Sequence, residues 1–255
     1  MKRKLPSTLL KIIIAAIIVV YMSGCIVINL SDFNSVTPKG EPENYDYKVG
    51  AYSGIRVIGF YDIRYYDSRE NSAVSPDIVT LKVQPNIMEY YKVEVVNDEL
   101  VVRTTKKIAF GSGNSPVLTV YTPNLKHLTI EGAGTFTAFD KISSKSFKIN
   151  LKGAGSGKAE LDVDSLSADL SGAGEFTLYG RADNADLRLS GAGDLDAIML
   201  KTRNATVNMS GAGSIRVSCS DDLKVTASGL GSVEYRGSPR VSLSKDGLVS
   251  IKQVY

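Results

Sequence analysis

Ala185-Asp186-Leu187-Arg188-Leu189-Ser190-Gly191-Ala192-Gly193-Asp194-Leu195-Asp196-Ala197 is the stretch from which the fold can be read. Apolar and polar residues alternate up to the first glycine and again after the second. A period of two is the mark of a half-buried strand. The pair of glycines marks a place where the chain bends or another backbone comes close.

The same stretch recurs along the chain. Gly-x-Gly appears at Gly132-Gly134, Gly153-Gly155, Gly172-Gly174, Gly191-Gly193, Gly211-Gly213 and Gly229-Gly231, with first glycines 18 to 21 residues apart. Five of the six have Ala between the glycines, and Leu230 is the exception. Self-similarity at about 20 residues points to a solenoid. Each unit reads as strand, tight Gly-x-Gly turn, strand and polar turn, the last exemplified by Lys201-Thr202-Arg203-Asn204. A lone unit has too few apolar side chains to offset the entropy of ordering its backbone, so the units must stack. The reading is an all-β, parallel β-helix-like solenoid.

The division of the chain follows from composition. Residues 1–24 have a basic start (Lys2, Arg3, Lys4), an uncharged run from Ile12 to Met22 and small residues before Cys25. That run has 11 residues, short of the roughly 20 needed to cross a bilayer. It fits a cleaved export signal better than an anchor, although an uncleaved anchor is the alternative. Residues 25–44 read as a flexible tether, 45–122 as an N-terminal β cap with first coils, 123–245 as the Gly-x-Gly solenoid and 246–255 as a C-terminal tail. Asn97-Asp98-Glu99 reads as a hairpin turn.

Cleavage before Cys25 leaves 231 residues and takes the net charge from +3 to −1. A near-neutral mature chain gives no electrostatic case for nucleic acid. Two cysteines, Cys25 and Cys219, provide no disulfide framework. Cys219 is in phase with Ile215 and Val217 and is expected to be a small buried hydrophobe.

Two resemblances add to this. Met22-Ser23-Gly24-Cys25 resembles the lipobox of bacterial lipoproteins, with Met22 in place of the usual Leu. The resemblance implies lipid on Cys25, a membrane partner through that lipid, and, with Ile26 following, an outer-membrane destination facing either periplasm or exterior. The Ser-Gly-Ala-Gly units at Ser171, Ser190 and Ser210, with the ending Tyr235-Arg236-Gly237-Ser238-Pro239, resemble the head GIN domain family of auto-transporter adhesins. That resemblance spans about residues 50 to 245. It implies a right-handed β-helix with glycines at half-turns, and a role in adhesion.

Chemistry-bearing motifs are few. The glycine motifs lack the third glycine and the helix of a dinucleotide site. Gly153-Ala154-Gly155-Ser156-Gly157-Lys158 has the wrong spacing for a phosphate loop. A lone calcium site near Asp162 and Asp164, or near Asp194 and Asp196, competes with solvated carboxylates. His127, the one histidine, is expected on a turn. Eight of 13 tyrosines lie between Tyr45 and Tyr91, as strand residues or as an exposed patch for a glycan or protein ligand. No cofactor, metal site or catalytic set is expected. The outward residues Thr137, Lys158, Thr177, Asp196, Arg216 and Glu234 are expected to form one surface column. The function expected is a non-catalytic adhesin or binding scaffold; the alternatives are a periplasm-facing structural lipoprotein and a β-helix carbohydrate-active enzyme.

Overall fold

The structure is a computed structural model describing residues 35–71, 74–110 and 115–255. Cys25, the export signal and the first part of the expected tether lie outside the described residues.

Among the described residues, fourteen strands form one continuous sheet wound into a β-solenoid of about six turns. The N-terminal part holds β1 (Glu43–Lys48), β2 (Gly54–Tyr66), β3 (Ile78–Val83), a 3-10 turn (Pro85–Tyr90), β4 (Tyr91–Val96), β5 (Glu99–Thr104) and β6 (Val117–Tyr121). The repeats form β7 (His127–Ala138), β8 (Ile142–Leu170), β9 (Ala173–Leu189), β10 (Ala192–Met209), β11 (Ala212–Ala227) and β12 (Leu230–Arg236). The end holds β13 (Arg240–Lys245) and β14 (Leu248–Gln253). From β2 through β7 to β12 every neighbour is parallel. The antiparallel pairs β1–β3, β3–β6 and β4–β5 all belong to the N-terminal part. Asn97 and Asp98 join β4 to β5 with φ of 50° and 66°, the double left-handed geometry of a two-residue hairpin.

The glycine motifs differ in one respect from the expected tight turns. They are bends that keep their place in the ladder, and β8 runs for 29 residues through one of them. The reason is that the N–H of each middle residue still donates to the coil beneath. Ala192 N bonds Gly172 O at 3.0 Å, and Ala212 N bonds Gly191 O at 3.0 Å. Coils therefore approach so closely that a Cβ on Gly191 would stand 1.7 Å from Gly172 O. Gly193 adds a φ of +154° and a Cβ position 1.9 Å from Gly174 O. The middle residues stack outward as a ridge, Phe60–Ala133–Ala154–Ala173–Ala192–Ala212–Leu230–Leu248.

Inward side chains form columns one residue wide. One runs Ile63–Phe136–Gly157–Phe176–Leu195–Ile215–Val233–Ile251, with every named member from Ile63 to Val233 buried. Tyr52, Tyr61, Tyr65 and Tyr91 are buried too, so much of the tyrosine cluster is core. Burial pushes all four phenols well above the usual tyrosine range.

Both ends depart from the expected division. Residues 36–39, read as tether, are fixed to the body. Val36 N bonds Lys107 O at 3.1 Å, Ala109 N bonds Val36 O at 3.0 Å, and Lys39 N bonds the Asn86 Oδ1 at 2.8 Å. The expected tail carries β14, which extends the ladder on β12. Val249 is buried there, because its alternation continues that of the repeats. The last coil also changes chemistry. The core column ending Leu189–Met209–Ala227 closes on Lys245, and the column Ala197–Val217–Tyr235 closes on Gln253. Polar residues at inward positions blunt an open sheet edge.

Candidate binding surface

The outward column expected after the glycines is present in full register: Thr137, Lys158, Thr177, Asp196, Arg216 and Glu234 lie on successive coils and Lys252 follows. Its later part is paired within itself. Arg216 Nη1 meets Asp196 Oδ2 at 2.7 Å, Arg216 Nε meets Glu234 Oε2 at 3.4 Å, and Lys252 Nζ meets Glu234 Oε1 at 3.0 Å. Hydrogen bonding from Lys252 and the nearby cations hold the Glu234 carboxyl below its ordinary range. Such a ladder presents an even, neutral surface, since each charge meets its opposite one strand spacing away.

Three of the four carboxylates weighed as a calcium site are engaged otherwise. Arg181 bridges Asp162 and Asp183 at 3.2 Å each. Asp194 Oδ1 accepts from Ser214 N and Oγ, and Asp196 pairs with Arg216. Among the described residues, no three His, Cys, Asp or Glu side chains converge where they could hold a metal ion.

His127 is not on a turn: it opens β7. It stands opposite Gly54, which stands opposite Glu99 on the other side. With no side chain on Gly54, the imidazole Nε2 leans across the intervening strand to Glu99 Oε1 at 3.2 Å. Cys219 is buried as expected, its one S–H in reach of either Arg203 O at 3.1 Å or Asp222 O at 3.2 Å, and burial pushes its pKa up.

Two features escaped sequence reasoning. The first is an aromatic stack formed by β2, β6 and the bend that follows β7. Tyr66 lies between Tyr121 and Phe139, with ring centroids 5.2 and 4.9 Å away and planes 19° and 5° apart. Phe139 is 54% exposed. The second is a trough of 740 Å³ running along the solenoid, across the strands. One flank is the column Ser165–Asn184–Asn204–Asp222–Arg240. Its floor includes Leu166, Ala185, Ala205 and Leu223; the two alanines are where short side chains let the wall sink. Asn204 Nδ2 donates to Asn184 Oδ1 at 3.0 Å, and Arg240 clasps Asp222 through Nε and Nη2 at 2.7 and 2.6 Å. Counting outward positions from each glycine pair would have hinted at this column, but the count drifts from coil to coil.

A parallel β-solenoid with glycine-backed bends, capped by antiparallel strands at its N-terminal end, is the class that this architecture defines. The chain belongs to the head GIN domain family: the family described as "Putative auto-transporter adhesin, head GIN domain" matches residues 51–239. Solved structures share the fold. A putative adhesin from Bacteroides fragilis is 22% identical, with a TM-score of 0.76 over 86% of this chain and 100% of that one. A putative adhesin from Parabacteroides distasonis is 20% identical, with a TM-score of 0.68 over 87% and 100%. A putative lipid binding protein from the same species is 19% identical, with a TM-score of 0.60 over 87% and 100%. No curated protein sequence matches the chain.

Proposed function

We propose that the chain is a non-catalytic adhesin, anchored to the outer membrane by lipid on Cys25, that binds its partner with the outward faces of a rigid solenoid. The observation that carries this reading is the contrast between columns. Inward and glycine columns repeat the same chemistry coil after coil, whereas the outward columns away from the alanine ridge vary in charge and polarity along their length while staying in register. A scaffold of that kind separates folding from recognition, and outward residues can be tuned to a ligand without disturbing the core.

Intact cells making the chain should adhere to surfaces coated with host matrix or glycans, and cells lacking it should not. Cys25→Ser should abolish membrane retention and the adhesion with it. Protection of the chain from protease added to intact cells, together with unchanged adhesion in its absence, would favour a structural lipoprotein facing the periplasm.

A further inference from the structure

We propose that the trough is the docking site for a linear acidic polysaccharide, lying along the solenoid with about one sugar per coil. This rests on the adhesin reading and names the ligand class for it.

The direction of the trough comes first. Its flanks cross the strands at right angles, so each step along it is a step of about 4.8 Å from one coil to the next. Five rungs, Ser165 to Arg240, give a length of about 20 Å. An occupant must therefore be long and extended, and its own repeat must be close to one strand spacing. A sugar ring in an extended chain has that length. A peptide strand laid the same way would find side chains in place of a sheet edge, and so would lose the backbone pairing by which peptides add to sheets.

The chemistry of the second flank agrees. In register with the first flank run Asp186, Thr206, Lys224 and Ser242. Hydroxyls recur on it at two of the four rungs, Thr206 and Ser242, and the asparagines opposite have amide groups beyond the one bond that joins them. Closely spaced donors and acceptors on both sides suit a ligand with hydroxyls on both edges.

The sign of the charge follows from the pairing. Both carboxylates in the trough are already matched, Asp186 by Arg188 at 2.7 Å and Asp222 by Arg240. The Lys224 ammonium is exposed and has no carboxylate within ion-pair distance among the described residues. The trough thus offers one unmatched positive charge on the fourth of the five rungs of a hydrogen-bonding track. An anionic group on the sugar, a carboxylate or a sulfate, is its complement.

The test is calorimetric titration of the full chain in detergent with hexamers and dimers of polygalacturonate, alginate, hyaluronan and heparan sulfate, and with cellohexaose as neutral control. At least one acidic hexamer should bind, with its dimer and cellohexaose weaker by at least about tenfold. Thr206→Tyr, which fills the trough, and Lys224→Glu, which reverses its charge, should each cost at least about tenfold with unchanged melting. Glu89→Tyr, exposed on the 3-10 turn of the N-terminal part and away from the trough, should change nothing. Absence of binding by every hexamer, equal binding of cellohexaose, or indifference to both trough variants would overturn the proposal. Cell adhesion is read in parallel. Adhesion that persists in both trough variants overturns the trough alone, and binding in solution without any cell adhesion overturns the adhesin reading alone.

Discussion

Phe176 occupies the space that Gly157 vacates. The two stand opposite each other in the ladder, and a Cβ on Gly157 would lie 2.1 Å from Phe176 Cε1. Phe136 flanks the same glycine on its other side. The core column thus alternates large, absent and large, which lets two aromatic rings fit where neighbouring coils are only about 4.8 Å apart. Gly157→Ala should destabilise by about 1–3 kcal/mol through overpacking. Phe176→Leu placed on top should restore part of the loss, and a double-mutant cycle of melting curves would read the coupling. Additive losses would show that the two positions do not share this space.

The glycine bends should be intolerant for a different reason, because their obstacle is backbone. Gly191→Val and Gly193→Val each drive a branched side chain into a carbonyl oxygen that is accepting or flanking a ladder bond. The loss should reach on the order of 3 kcal/mol, the upper end of overpacking costs. Ala192→Ser, between them on the exposed ridge, should stay within about 0.5 kcal/mol. Equal melting temperatures for all three would remove the close-approach account.

Acid should loosen the C-terminal coils first. Hydrogen bonding from Arg240 holds the Asp222 carboxyl below its ordinary range, and Lys252 does the same for Glu234. A depressed folded pKa stabilises above the unfolded value, and that contribution is lost as pH falls through the folded one. The window opens below about pH 4, the ordinary carboxylate value. Amide exchange, corrected for its intrinsic rate, should show β13 and β14 losing protection on acidification while β9 and β10 keep theirs. Uniform loss across the solenoid would count against this pairing as what fastens the last coil.

Lys245 should act as a guard. It ends a core column at the open edge, and among the described residues β13 has a strand neighbour only on β11. Val241 and Leu243 beside it are 39% and 53% exposed. Lys245→Val would leave a flat apolar edge with unpaired backbone groups, which recruits other strands. Concentration-dependent association by light scattering is the expected result, with Ser244→Val, on the outward face, as the quiet control. A monodisperse Lys245→Val protein would refute the guard.

The spacing of glycine pairs was enough to lay out the solenoid, because the pairs lie on one edge and return at every coil. Period-two alternation was likewise enough to sort inward from outward residues, down to the buried Cys219 and the column from Thr137 to Glu234. The trough was out of reach for a traceable reason. β10 carries extra residues, with register shifts between Asp196 and Met199 against β9 and between Ala197 and Lys201 against β11. Counting forward from each glycine pair therefore misplaces Asn204 relative to Asn184 and Asp222. His127 was missed because a missing side chain on another strand, Gly54, is what gives its ring somewhere to go. Gly157 was weighed as part of a phosphate loop, since nothing local shows that the residue above it is Phe176.

The antiparallel strands at one end and the blunted coil at the other give the chain a direction of assembly. Each coil pairs with the stretch about 20 residues ahead of it in synthesis, so a chain emerging N-terminus first always meets a finished edge prepared by what came out before. The N-terminal part supplies the first such edge on β2, and Lys245 and Gln253 blunt the edge that the last coil leaves. On such a template each coil has a partner edge of its own length, and the edge that it exposes is covered by the coil that follows.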